Sequence, residues 1–351
     1  MEHKNYFHRV SEQTATRFWI NNVTRQEAEW AIAEGAVGCT QNPSYVWKML
    51  SHENEREYAE QLLKEIIVKN PDASNDDIQV MLQRELVARI AEIFRPMYEA
   101  GNGQSGFVSI QGNPFMEDAE SIIRYAEYNH EAGENIMCKI PVTKEGLEAI
   151  ACIAARGIPI NATEVMSVSQ ALDVCEVYEK ATKGMKDRAP VYFSHITGIY
   201  DEYLLKEAEK NHTAVSRDAL WQAGMAVAKK IYQLVKDRRY PAGFIGGGAR
   251  GLHHFTEMVG ADACVTINWK GTADQLIESD PPVVQRFFTP VPASVIDELE
   301  EKMIDFKRAY NRNGISIGEY EDFGPVVLFR ESFENAWKKA NEYIEKQRWE
   351  K

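Results

Sequence analysis

The chain has no apolar run approaching the ~18 residues that would span a bilayer, and its first residues, 1–5, contain no signal-peptide core. A protein that neither spans a membrane nor leaves the cytoplasm is therefore expected. Basic charge is also in short supply: 40 Lys and Arg stand against 53 Asp and Glu, a net charge of −13. Gripping a phosphate backbone or an anionic membrane surface needs a basic stripe, so nucleic acid and membrane are excluded as partners. Cysteines are few and odd in number, five in all, with no C-x-x-C spacing. Cys39, Cys138 and Cys264 lie in apolar strand-like runs and read as reduced core residues. The glycines of residues 101–106 lack both phosphate-loop and dinucleotide spacing and read as a loop. There is no internal repeat. What remains as a partner is a small molecule.

What is present is an alternation. Short apolar runs at residues 18–20, 37–40, 107–111, 135–143, 159–163, 191–195, 243–246 and 263–267 are separated by segments with helical spacing or helix caps. Eight such repeats predict an α/β fold, a closed (β/α)8 TIM barrel over residues 16–290. Residues 45–100 are too long for one connecting helix. They predict a helical insertion after the second strand, broken at Asn70-Pro71 and recapped near Ser74. Its apolar stripe (Val80, Leu82, Leu86, Ile90, Ile93, Phe94) is expected to cover the barrel or meet another subunit. Helical patterns at residues 293–310 and 331–346 predict a C-terminal helical extension, 291–351, as a packing element or an oligomer contact.

One residue sits badly in this pattern. Lys139 lies in the middle of the run 135–143, on a strand expected to be parallel and buried on both faces. An unpaired ammonium there costs several kcal/mol unless it gives up its proton. A neutral amine is a nucleophile toward carbonyls, the first requirement of Schiff-base catalysis. A lysine paired with a carboxylate, or one reaching out from the strand end, is the plainer alternative.

Lys139-Ile-Pro-Val-Thr143, then Asn161-Ala-Thr163 followed by Ser167-Val-Ser-Gln170-Ala171, resemble the transaldolase family, which includes the fructose-6-phosphate aldolases. Gly38-Cys-Thr40-Gln-Asn42-Pro43-Ser44 is similar to a third block of that family. The resemblance implies that Lys139 is the Schiff-base residue, and that Thr163 holds a water relaying protons to and from substrate, with Gln111 as its partner. It further implies sugar contacts from Thr40, Asn42, Asn161 and Ser194, and an anion contact from Arg250.

The chain departs from that family at the residues that move protons and bind phosphate. Asn21 stands where an aspartate is usual, and Gln111 where transaldolases proper have a glutamate and fructose-6-phosphate aldolases a glutamine. An amide can position a water but cannot act as a general base. Ile199 replaces one phosphate-binding arginine, and Ile196 falls at the tyrosine of the aldolase branch. His195 replaces a proline. As the one side chain near the site expected to titrate near neutrality, it is the candidate replacement base, alongside Asn21, Gln111, Lys139 and Thr163. His253 and Glu257 form an i, i+4 pair with His254 beside it, but such pairs are common on helices and no third ligand is visible in sequence, so no metal and no cofactor are expected. The expected activity is that of a class I aldolase or transaldolase, moving a dihydroxyacetone unit of a ketose or ketose phosphate. Another Schiff-base lyase on the same scaffold, or a sugar-binding relative without catalysis, are the alternatives. The partner is then a sugar or sugar phosphate, and a homo-oligomer is expected.

Overall fold

The computed structural model describes residues 4–349. The expectation about the first five residues rests partly on residues 1–3, which lie outside that range. The first half of the chain forms α1 (Tyr6–Gln13), β1 (Arg17–Asn21), α2 (Arg25–Ala33), β2 (Ala36–Thr40), α3 (Tyr45–Ser51), α4 (Arg56–Lys69), α5 (Asn75–Ala100), β3 (Phe107–Gln111), α6 (Ala119–His130), β4 (Ile136–Pro141) and α7 (Lys144–Ala155). The second half forms β5 (Ile160–Val165), α8 (Val168–Ala181), β6 (Val191–His195), α9 (Thr197–Lys210), α10 (Arg217–Asp237), β7 (Ala242–Gly246), α11 (His253–Thr256), β8 (Cys264–Ile267), α12 (Asp274–Ser279), α13 (Ala293–Lys302), α14 (Ile304–Tyr310) and α15 (Gly324–Trp349). Among the described residues, eight strands pair in parallel and in sequence order, β8 closing on β1, to make the (β/α)8 barrel. No described helix is long and apolar enough to cross a membrane.

Helix starts follow from local chemistry. Thr24, Ser74, Thr143, Ser167 and Ser216 each accept a hydrogen bond from a backbone N–H in the first turn of the helix that follows. Each such cap is worth about 1 kcal/mol. At Thr24 the cap is reciprocal, because Glu27 bonds back to the Thr24 N–H. Thr24, Thr143 and Ser167 follow β1, β4 and β5 and so lie at the rim where barrel enzymes carry their chemistry.

The opposite end of the barrel is closed by side chains. Trp19, Phe107, Met137, Ile245 and Cys264 form one buried cluster, with Tyr192 against it. Gly38 makes room for it: a Cβ there would lie 2.3 Å from the Trp19 ring. Outside β1, α1 supplies Tyr6, Phe7 and Val10, and the Phe7 and Phe18 rings stack at 4.0 Å. The sequence reading, which starts the barrel at residue 16, leaves this helix unassigned.

The insertion and the extension meet. The stripe of α5 packs on β3, and α5 also packs on α15. Trp337 and Asn341 of α15 both donate to Asp76 Oδ1 at the start of α5, at 2.6 and 2.8 Å. Arg348 donates to Asn75 at 2.7 Å. Held at that end, α15 also packs on α9, α3 and β5, and so lies across the catalytic rim rather than beside the barrel.

Candidate active site

A cavity of about 260 Å³ opens at the C-terminal ends of the strands. Asn21, Thr40, Asn42, Lys139, Thr163, Ser194 and Arg250, predicted from sequence, all line it. Thr266, Asn268, Phe329, Ser332 and Phe333, which the sequence did not single out, also line it. The strand period of two explains the selection, since Asn21, Lys139, Thr163 and Ser194 occupy inward positions of their strands.

Lys139 is buried, 7% exposed, and its Nζ donates to the Gln41 carbonyl at 3.4 Å. The Phe333 ring centroid lies 5.9 Å from Nζ. Burial pulls the ammonium pKa down to about 8, against the opposing pull of the Glu164 carboxylate. The amine is thus partly neutral near physiological pH, the state in which it attacks carbonyls.

Around it the polar groups are ordered by one another. The Thr40 hydroxyl contacts Thr266 Oγ1 at 2.7 Å and Asn21 Oδ1 at 2.9 Å, and Asn21 donates to Asn268 at 2.9 Å. Asn42 Oδ1 accepts from the Ser44 backbone and hydroxyl, at 3.0 and 2.5 Å. Asn161 is fully buried one layer deeper: it donates to Ser109 at 3.2 Å and accepts from Ser194 at 2.6 Å. It braces Ser194 and does not line the cavity. Thr163 Oγ1 makes no hydrogen bond among the described residues, so its hydroxyl is available to a ligand or a water.

Arg250 lines the outer part of the cavity, but its Nε donates to Glu202 Oε2 at 2.6 Å. The loop that carries it fits tightly over α9: a Cβ at Gly198 would lie 2.2 Å from the Gly248 carbonyl oxygen. His254 fastens the same loop, accepting the Arg250 backbone N–H at Nδ1, 3.2 Å, and bonding Asp201 through Nε2 at 3.0 Å. Asp201, His253 and His254 bring potential metal-ligand atoms within 4.8 Å of one another, a third ligand invisible in sequence. The mutual bonds of Asp201 and His254 already engage two of these groups.

His195 does not face the cavity, which corrects the expectation that it serves as the base. Ser194 points inward, so the next residue points to the helix layer. There His195 is fully buried, with Nδ1 2.9 Å from the Val165 carbonyl oxygen and Nε2 3.2 Å from that of Gly224. Burial lowers its pKa to about 4, so it does not titrate near neutrality.

Gln111 does not line the main cavity either. It borders a smaller one of about 20 Å³ on the other side of Lys139, together with Asn113, Glu117 and Asn129. Its Nε2 donates at 3.0 Å to Glu164 Oε1, and Glu164 is fully buried. The sequence reading passed over Glu164 inside Asn161-Ala-Thr-Glu164 and took Glu117 as the start of a helix. The signal was there, in a carboxylate placed within an otherwise uncharged strand.

The family described as Transaldolase/Fructose-6-phosphate aldolase matches residues 18–314. A transaldolase of Saccharopolyspora erythraea is 34% identical over 169 residues, which cover 46% of this chain and 44% of that protein. A transaldolase of Kocuria rhizophila is 27% identical over 233 residues, covering 62% and 61%. Transaldolase 1 of Streptomyces avermitilis is 27% identical over 244 residues, covering 65% and 63%. The chain thus spans between 44% and 63% of the length of these three relatives.

Proposed function

Because the chain belongs to the transaldolase/fructose-6-phosphate aldolase family, we propose that it is a class I aldolase or transaldolase in which Lys139 forms a Schiff base with a ketose. The observation that carries this reading is the amine itself: buried at a strand end, lining the cavity, with its pKa pulled down to about 8. Nζ adds to the C2 carbonyl of the ketose, and loss of water from the carbinolamine leaves an iminium. Electrons of the C3–C4 bond then flow to the iminium nitrogen as the C4 hydroxyl loses its proton, and an aldehyde departs. The enamine retained on Lys139 adds to an acceptor aldehyde, or is protonated and hydrolysed.

The remaining residues orient. Ser194, Thr40 and Asn21 offer hydrogen bonds to sugar hydroxyls, and the open hydroxyl of Thr163 is suited to hold the water of the imine step. Arg250 is the candidate contact for a phosphate or other anion at the far end of the ketose. With Ile199 in place of a second arginine, the anion site is weaker than the family's, which favours a ketose with a single anionic group or none. Phe333, its ring 5.9 Å from Nζ, screens the amine from water, and a dry, positioned reaction centre accounts for a large share of such rate enhancements.

A sugar-binding protein without catalysis is disfavoured by the same observation, because a binder gains nothing from burying an amine at a cost in stability. The test is borohydride reduction in the presence of dihydroxyacetone, followed by peptide mass spectrometry. A reduced three-carbon adduct on Lys139, absent from Lys139→Met, is the expected result. No adduct on the folded wild-type protein would sink the reading.

A further inference from the structure

With amides at Asn21 and Gln111 and with Ile196 at the tyrosine position of the aldolase branch, the reaction above is left without a group that takes and returns protons. We propose that Glu164 and Glu117 supply it, as a buried two-carboxyl proton store that serves the Lys139 imine through Gln111 and Thr163. This rests on the Schiff-base reading and adds to it the group that moves the proton.

The backbone puts Glu164 where a regular strand would not. Residue 164 follows an inward-facing threonine and should point to the helix layer. Instead the register of β5 on β6 shifts between Ala162 and Val165, and Glu164 takes a left-handed φ of 63°. Strain of this kind in a non-glycine residue persists where the surroundings enforce it, and such residues cluster at functional sites. The bulge swings the carboxyl to Gln111, where Oε1 accepts the 3.0 Å hydrogen bond. Glu164 Oε2 and Gln111 Oε1, both buried, make no hydrogen bond among the described residues, and neither does Thr163 Oγ1.

Glu117 approaches the Gln111 amide from the other side, without a well-formed hydrogen bond, on the wall of the 20 Å³ cavity that Lys139 shares. That volume suffices for one water. The charges facing the pair come from several elements: Lys139 on β4, Arg330 on α15, and Glu321 ahead of α15, on the Glu117 side. Arg330 is itself held by Glu321 at 3.4 Å and Glu334 at 3.9 Å. Burial raises both carboxyls above the ordinary range. The charge of Glu164 pushes Glu117 further up, while Gln111 and Lys139 draw Glu164 back down. On this geometry Glu164, fixed by the 3.0 Å hydrogen bond from Gln111, is the carboxyl of the store that exchanges its proton, and Glu117, which lacks such a bond, is the one that holds it.

The proton count closes. Glu164 takes the ammonium proton of Lys139, which frees the amine to add to the carbonyl, and then passes that proton to the carbinolamine hydroxyl, which leaves as water and yields the iminium and the Glu164 carboxylate. That carboxylate next receives, by way of the water that Thr163 is suited to hold, the proton of the C4 hydroxyl as the C3–C4 bond breaks. The iminium has meanwhile become a neutral enamine, and Glu164 again holds one proton, which returns to the amine when Lys139 is released.

The experiment measures, against pH, the rate at which dihydroxyacetone becomes borohydride-trappable on Lys139, in wild type, Glu164→Gln, Glu117→Gln and Glu164→Asp. If the store is real, Glu164→Gln slows trapping and ketose cleavage at every pH, by roughly 10² to 10⁴, and Glu164→Asp restores part of the rate. If Glu164 is only a counter-charge, its removal lowers the Lys139 pKa further. Trapping is then unchanged above about pH 8 and faster below it, and that outcome overturns the proposal. A second measurement needs no turnover and no strained position: infrared difference spectra between wild type and Glu117→Gln at neutral pH. A carboxylic-acid C=O band present in wild type and lost in the variant supports the store, and its absence from wild type rejects it. Trapping that succeeds in wild type and ignores both glutamates refutes only this inference. No trapping in wild type removes the Schiff-base reading and this inference with it.

Discussion

The ring of Phe333, on the last helix, lies 5.9 Å from the Nζ of Lys139, at the centre of the barrel rim. The terminal segment therefore sets the environment of the amine, because an apolar face close to Nζ is what desolvation requires. Phe333 is 2% exposed and reaches this position because α15 is tied to the start of α5 through Asp76.

Phe333→Leu should let water closer to Nζ. The pH inflection of borohydride trapping is expected to move up from about 8 toward the ordinary lysine value of 10.5, at a cost in stability of roughly 1–3 kcal/mol. An unmoved inflection would mean that burial by the barrel alone sets the pKa.

Lys139 also makes a prediction about stability. Its pKa is about 8 in the folded protein and 10.5 ordinarily, so between these values the unfolded chain binds more protons. Stability from this group rises with pH across that window, and below about pH 8 the fold carries the cost of a buried ammonium. The two values set that cost at about 3 kcal/mol. Lys139→Met should therefore unfold at higher urea than wild type at pH 7, with the gap closing by about pH 10.5. A variant less stable than wild type at pH 7 would contradict this.

His195 carries the opposite expectation to a catalytic base. Its folded pKa of about 4 lies below the ordinary 6.5, so the unfolded chain binds more protons between those values. The stability it contributes is complete above pH 6.5 and is lost as pH falls toward 4. His195→Gln should keep turnover within a few-fold and lower stability at pH 7 by roughly 1–3 kcal/mol through the broken carbonyl contacts. Its urea midpoint should also depend less steeply on pH in that window. A loss of turnover of 10²-fold or more with an unchanged urea midpoint would return the histidine to the chemistry.

Arg250 divides its charge between Glu202 and the cavity. Arg250→Ala should raise KM for phosphorylated ketoses by roughly 10- to 100-fold, the loss of one charge-assisted hydrogen bond, with kcat little changed. Neutral ketoses should be nearly unaffected, since an exposed ion pair such as Arg250 with Glu202 contributes little to the fold. An equal loss for both substrates would make the arginine a support of its loop.

The sequence by itself determined the barrel and the residues on its inner face. Eight apolar runs separated by capped helices leave few ways to bury the strands, and the period of two fixes the neighbours of Lys139. That period also places His195 outside once Ser194 is inside, so the misplacement of His195 was avoidable. Glu164 was different. Alternation sends it outward, and only the shifted register of β5 on β6, with φ at 63°, turns it to Gln111. Such a bulge is settled by the packing of two strands with a whole helix between them in sequence, not by the local pattern. The position of α15 is likewise a tertiary matter. Its helical spacing was legible, but the acceptor that holds it across the rim is Asp76, on the far side of the sequence. Local period determines which face a side chain takes, whereas contacts between distant segments decided which carboxyls stand behind the lysine and what covers it.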